Sequence, residues 1–172
     1  MTSIDLSDVI FLGIVQGIAE FLPISSSGHL VLLQQLLGLT VTPGEDSAAG
    51  LRLNVALHCG TLLSILVVYR RDIWNLRKNS SLCAAIVVAT IPIVVVGLTL
   101  KETLETAFDN PLVASCGLMV TAVVLLVCQR LERGTVSIAR CAAPAALVIG
   151  LFQSLAIIPG ISRSGSTIAG GL

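Results

Sequence analysis

The chain has 172 residues, of which 55% are hydrophobic, 3% aromatic and 12% charged, about half the roughly 25% charge of an ordinary soluble domain. That balance excludes a disordered chain and argues against a water-soluble globule. Ten Lys and Arg offset ten Asp and Glu, so there is no basic excess to neutralise a phosphate backbone, and no nucleic-acid partner is expected.

Five cysteines, Cys59, Cys83, Cys116, Cys128 and Cys141, form no CxxC pair and are odd in number. They support neither a zinc site nor a disulfide framework and read as small apolar fillers. The first ten residues carry Asp5 and Asp8 but no Lys or Arg, the wrong polarity for a cleaved signal peptide, so the N-terminus is expected to be retained.

Residues 9–24 and 30–41 are apolar but separated by Pro23, three serines and Gly28, and neither piece comfortably spans a bilayer. The pattern predicts two short helices meeting at a polar tip, a re-entrant hairpin over 9–41. Asp5 and Asp8 before it, and Glu45 and Asp46 after it, place both ends on one acidic side. Two complete crossings would share that charge pattern, so only length favours re-entry.

Three stretches then lack any Asp, Glu, Lys or Arg: 53–69, 82–100 and 112–129. At about 1.5 Å per residue each approaches the thickness of a hydrocarbon core, which predicts three membrane-spanning helices. The loop at 70–81 holds Arg70, Arg71, Arg77 and Lys78 against Asp72, and the next basic loop holds Arg130, Arg133 and Arg140 against Glu132. Both are expected to be cytoplasmic, with the acidic connections outside. Tyr69 and Trp74 read as headgroup anchors and Pro92 as a tolerated kink.

The last segment, 141–172, repeats the first. Residues 13–30, GIVQGIAEFLPISSSGHL, align without gaps on residues 150–167, GLFQSLAIIPGISRSGST, which lie 137 positions later. The identities include Gly13/Gly150, Gln16/Gln153, Ser25/Ser162, Ser27/Ser164 and Gly28/Gly165. With three crossings between the copies, the second hairpin enters from the opposite side. This inverted-topology repeat brings polar tips together near the midplane. The fold class expected is an all-α integral membrane protein, a single membrane domain over 1–172, with transmembrane helices and two re-entrant helical hairpins.

Only Glu20 and Arg163 among the twenty charged residues lie well inside these hairpins. A charge there costs about 2.5–3.5 kcal/mol on insertion scales, so each is kept for function or for a partner. Gln16 and Glu20 are four apart and share a helix face, where a carboxylate can bind a metal ion or hold a proton.

Ser25, Ser26 and Ser27 precede a helix start and suit capping it; the alternative is that the free N–H groups of this helix, and of the one after Ser164, point at an anion. His29 is either a buried, hydrogen-bonded imidazole or a proton carrier. His58, mid-span with no carboxylate near it in sequence, reads as structural. Arg163, between Ser162 and Ser164, has a guanidinium fork that matches phosphate oxygens. The ligand expected is an anion, a phosphate above all.

GIVQGIAEFLPISSSGHL and PGISRSGST resemble the two signature motifs of the undecaprenyl-diphosphate phosphatase family, also called bacitracin-resistance proteins, and the resemblance spans the whole chain. It implies a multi-pass enzyme of the bacterial inner membrane. Such an enzyme hydrolyses undecaprenyl diphosphate to undecaprenyl phosphate and inorganic phosphate, recycling the lipid carrier for peptidoglycan synthesis and conferring bacitracin resistance. By position the family's acidic motif falls on Gln16 and Glu20, its serine–histidine motif on Ser25, Ser26, Ser27 and His29, and its arginine motif on Ser162, Arg163, Ser164 and Thr167.

The resemblance also implies a divalent cation, Mg2+ or Ca2+, with Glu20 and Gln16 as ligands. Position 16 is Gln where many members have Glu, which leaves Glu20 the principal acid. Ser26 is expected as nucleophile with His29 as general base, and activation of a water by His29 fits the same residues. Partners implied are the polyprenyl diphosphate and membrane lipid, with a homo-oligomer left open.

An inverted-repeat transporter or a lipid flippase would use the same architecture. The repeat also predicts further spans at 190–206 and 219–237, so the chain is expected to be a C-terminally truncated form of a longer protein, poorly stable or inactive alone.

Overall fold

Pro23 ends the first helix where the sequence predicts. In the computed structural model, which describes residues 5–39, 47–131 and 143–172, α1 runs Leu6–Phe21 and α2 runs Ser26–Leu36. Leu22 is extended at φ −95° and ψ 146°, the conformation that a following proline imposes. The turn closes at Ser25, which has φ 64° and ψ 90°. A non-glycine residue there stores roughly 1–3 kcal/mol of strain. The Ser25 hydroxyl accepts the Gly28 N–H at 3.4 Å and so caps α2.

Then follow α3 (Ser47–Val68), α4 (Arg70–Leu76), α5 (Ser80–Thr99), α6 (Lys101–Phe108), α7 (Pro111–Leu131), α8 (Ala143–Leu155) and α9 (Arg163–Gly171). No strand occurs among the described residues. Helices α5 and α7 are each long and apolar enough to cross a membrane. Residues Arg52–Val68 of α3 qualify only together with α4, from which they are bent by 75°. Of the three expected spans, those over 82–100 and 112–129 fall on α5 and α7, and the stretch 53–69 falls on α3, which reaches that length and hydropathy only when taken with α4. Glu45, Asp46, Glu132, Arg133, Arg140 and Cys141 lie outside the described residues.

Two connections expected as loops contain short helices. In α4 and its cap the Arg77 guanidinium stacks 3.3 Å from the Trp74 ring centre. In α6, Leu104 and Phe108 share a face and Lys101 pairs with Glu105 at 3.9 Å. These i,i+3 and i,i+4 neighbours support a helix too short to show in a hydropathy pattern. The four described cysteines are free.

The outer faces of the long helices carry Val87, Ile91, Val94, Val95, Leu98, Met119, Val123 and Leu126, all exposed. The buried apolar positions are mostly small: Ala19, Ala85, Ala114, Ala146 and Ala156. Large residues outside and small ones between helices is the pattern of packing in lipid, where close backbone approach replaces the hydrophobic effect. The chain is a multi-pass membrane protein.

The sequence repeat has a counterpart in the helix boundaries. Helices α2 and α9 begin at Ser26 and Arg163, separated by the same 137 positions as the sequence match. Ser162 caps α9 through the Gly165 N–H at 3.1 Å, as Ser25 caps α2. In each copy the capping hydroxyl also meets the serine two residues on, at 3.3 Å for Ser25–Ser27 and 3.1 Å for Ser162–Ser164.

The two tips touch through glycine. A Cβ on Gly28 would lie 2.6 Å from the Cα of Gly160, which itself has φ +92°. Helix α7 supports that contact from below: Thr121 Oγ1 donates to the Gly160 carbonyl at 2.8 Å and accepts the Ser162 N–H at 2.9 Å.

Candidate functional site

The break after α1 leaves Glu20 in its last turn, and the break before α9 leaves Arg163 as that helix's first residue. Between them lies a cavity of about 450 Å3, a volume ordinary for a small-molecule site. From the first hairpin it is lined by Glu20, Leu22, Ser25 and Ser26, and from the second by Gln153, Ser162, Arg163, Ser164 and Thr167. Helices α2 and α9 both begin at its wall, each with its third N–H capped by a serine, so two positive dipole ends flank it.

Glu20 organises the first wall. Its Oε2 accepts Gln16 Nε2 at 2.9 Å and the Ser26 hydroxyl at 2.6 Å. His58 Nε2, from α3, stands 3.9 Å from the same oxygen. The short Ser26 bond is that of a hydroxyl on a carboxylate, among the stronger hydrogen bonds proteins make.

On the opposite wall Thr167 Oγ1 donates to the Arg163 carbonyl at 2.8 Å and accepts Gln153 Nε2 at 2.9 Å, fixing the first turn of α9. Arg163 itself is exposed, lines the cavity and pairs with no carboxylate among the described residues. An unpaired guanidinium facing a cavity between two helix N-termini is suited to an anion. One long bond, Ser164 Oγ to the Leu22 carbonyl at 3.5 Å, joins the hairpins directly.

Seven residues singled out from sequence thus line the cavity: Glu20, Ser25, Ser26, Ser162, Arg163, Ser164 and Thr167. Three stand behind it. Gln16 is 1% exposed and orients Glu20; its Oε1 is buried without a hydrogen-bond partner. Ser27 lies on Ser25. His29 holds the Ser25 carbonyl through Nδ1 at 2.8 Å, and no hydrogen bond links it to Ser26 among the described residues. Two further residues emerge from the structure, Thr121 and Gln153, of which Gln153 had a signal in its identity with Gln16 in the repeat; His58, read from the sequence as structural, has its Nε2 3.9 Å from Glu20 Oε2.

No group of three His, Cys, Asp or Glu gathers among the described residues. The donors present are one carboxylate, a serine hydroxyl and the unpartnered amide oxygen of Gln16. Such an all-oxygen set suits a hard cation that draws its remaining ligands from water and substrate phosphate.

The sequence profile of the bacitracin resistance protein BacA family matches residues 9–172. Among curated relatives, the undecaprenyl-diphosphatase of Rhodopirellula baltica is 47% identical over 168 residues, covering 97% of this chain and 63% of the relative. That of Methanosphaera stadtmanae is 40% identical over 193 residues, covering 98% and 67%. That of Desulfosudis oleivorans is 38% identical over 185 residues, covering 95% and 65%. The chain thus spans about two thirds of the length of these relatives. With a family profile matched over nearly its whole length, this chain belongs to the bacitracin resistance protein BacA family.

Proposed function

We propose that the chain is an undecaprenyl-diphosphate phosphatase of the bacterial inner membrane, releasing undecaprenyl phosphate and inorganic phosphate and so recycling the carrier for peptidoglycan synthesis. One observation carries this reading: a serine hydroxyl held on a carboxylate at 2.6 Å and a guanidinium with no carboxylate partner among the described residues line the same cavity of about 450 Å3. The names of the relatives supply the substrate, and bacitracin resistance follows from the family.

The diphosphate head lies between the tips, and the two hairpins enter from opposite leaflets as an inverted repeat. Leu22 and Ile168, both exposed, sit on the cavity rim and leave the prenyl tail in lipid. Ser26 Oγ attacks the terminal phosphorus while its proton passes to Glu20 Oε2. Undecaprenyl phosphate departs with the bridging oxygen, and water then hydrolyses the phosphoserine. Glu20, already bonded to Ser26, takes the proton that the sequence pattern had given to His29.

Arg163 and the N–H groups of α2 and α9 stabilise charge on the phosphoryl oxygens, where most of the catalysis of phosphoryl transfer originates. A Mg2+ or Ca2+ ion, with Glu20 and Gln16 Oε1 among its ligands, would neutralise charge on the diphosphate.

The test is phosphate release from undecaprenyl diphosphate by the chain in detergent with Mg2+. Release of phosphate by the unsubstituted chain supports this reading and overturns the expectation that the chain is inactive alone; Arg163→Ala is then expected to lose about 100-fold or more in rate, and acid quench to trap phosphate on Ser26. Equal, substantial release by both chains removes Arg163 from the reaction. Transfer of labelled lipid across proteoliposomes without phosphate release makes the protein a flippase.

A further inference from the structure

We infer that Gln153, on α8, is a substrate-binding residue of the second wall, its spare amide N–H donating to a non-bridging oxygen of the diphosphate; the inference rests on the phosphatase reading above.

Which end of the Gln153 amide faces Thr167 follows from the threonine. Thr167 Oγ1 lies 2.8 Å from the Arg163 carbonyl, four residues earlier in α9. A carbonyl oxygen only accepts, so the single hydroxyl hydrogen of Thr167 is committed to it. The Gln153 atom 2.9 Å from Oγ1 is therefore a donor, Nε2 and not Oε1. The Thr167 hydroxyl is left with no hydrogen for a phosphate, although its place in the arginine motif implies contact with substrate. Nε2 carries two hydrogens; Thr167 takes one, and the other has no partner among the described residues.

The repeat supplies the contrast. Gln16 and Gln153 occupy the same position of the duplicated motif. In the first copy the residue four positions on is Glu20, which accepts Gln16 Nε2 at 2.9 Å within one helix. In the second it is Ile157, whose side chain offers no acceptor, and Gln153 reaches across to α9 instead. Gln16 is buried behind Glu20, whereas Gln153 is half-buried and lines the cavity together with Ser162, Arg163 and Ser164. One kind of side chain thus orients the carboxylate of the first wall and stands open to the ligand on the second.

A diphosphate presents acceptor oxygens around both phosphorus atoms, more than one guanidinium fork can satisfy. The amide N–H meets one of them without adding a charge to the cavity. Because Thr167 already orients the amide, little side-chain freedom is lost when the ligand arrives. The same hydroxyl bonds the Arg163 backbone and the Gln153 side chain, so the root of the guanidinium arm and the amide are held in a fixed relation.

The test uses methylenediphosphonate, a diphosphate that cannot be hydrolysed, titrated by calorimetry into the whole chain in nanodiscs with Mg2+. Phosphate release against undecaprenyl diphosphate concentration is measured on the same preparations. Gln153→Met keeps the length of the side chain and removes both N–H groups. It is expected to weaken the diphosphonate about tenfold or more and to raise KM by a similar factor. Thr167→Val removes the acceptor that orients the amide but leaves the amide on the wall, and its weakening is expected to stay within about threefold. The double variant is expected to bind no more weakly than Gln153→Met alone. Gln153→Asn withdraws the amide by one methylene and is expected to weaken the diphosphonate about as much as methionine does.

Binding by Gln153→Met within about twofold of the unsubstituted chain overturns the inference. So does equal weakening by Gln153→Met and Thr167→Val, which makes Gln153 a brace of α9 and no more. Should Gln153→Met not fold, Gln153→Asn decides by the same limit. No binding by the unsubstituted chain overturns the contact as well. If that chain binds the diphosphonate but releases no phosphate from the lipid, the phosphatase reading fails, and the comparison of affinities judges Gln153 on its own.

Discussion

Replacing Gly28 by Ala probes the meeting of the two tips more sharply than removing any polar group. The added Cβ would stand 2.6 Å from Gly160 Cα, 3.0 Å from Gly160 N and 3.1 Å from Leu118 Cδ2. Leu118 can turn aside, but the Gly160 backbone is held by Thr121 and cannot. Restoring ordinary carbon contact of about 3.5–4.0 Å requires the tips to part by roughly 1 Å. Overpacking of this kind costs about 1–3 kcal/mol. A 1 Å displacement of reacting groups costs on the order of 100-fold in rate.

The expected result for Gly28→Ala is a thermal transition a few degrees lower and a fall of about 100-fold in phosphate release. Gly38→Ala is the companion variant. Gly38 has φ +66° and nothing within 4 Å of its Cβ position, so alanine there costs about 1 kcal/mol of backbone strain without touching the tips. Its rate is expected to stay within twofold. Gly28→Ala and Gly38→Ala losing stability alike and retaining activity alike would refute the claim that the reaction depends on the spacing of the tips.

Other outcomes follow from the same geometry. Arg163→Lys keeps the charge but not the planar fork, and steady-state kinetics are expected to show about tenfold or greater loss in kcat. Thr121→Val leaves the Gly160 carbonyl and the Ser162 N–H without partners, each costing roughly 1–3 kcal/mol; thermal unfolding in detergent reads the loss, and Thr121→Ser is expected to restore most of it. Gln16→Glu places a second carboxylate beside Glu20, so a Mg2+ titration of phosphate release should show a lower half-saturating concentration and a lower rate without added cation.

Much of this was visible in the sequence because it depends on local chemistry. Pro23 and the serine run mark the break between α1 and α2, and the spacing of Ser25 and Gly28, repeated at Ser162 and Gly165, is the capping geometry of both tips. Charge placement alone picked out Glu20 and Arg163. Partners that meet through tertiary packing were not visible. Thr121 is an ordinary polar residue in an apolar helix until Gly160 is laid against it. His58 lies 38 residues from Glu20, and no pattern within α3 points to a carboxylate on another helix. The short helices α4 and α6 were missed because their support is side-chain pairing, which hydropathy does not register.

The repeat carries a division of labour. Counting 137 back from Arg163 arrives at Ser26, so the guanidinium and the hydroxyl that face each other across the cavity occupy one and the same position of the duplicated unit, the first residue of α2 and of α9. Glu20, by the same count, corresponds to Ile157. The positions repeat in the sequence, yet their occupants differ, and on the function proposed above a pyrophosphoryl group entering between them would meet a nucleophile at one end and a cation at the other. On that reading the direction of reaction is set by residues that differ between the two copies of the motif, and a copy of one half would not replace the other.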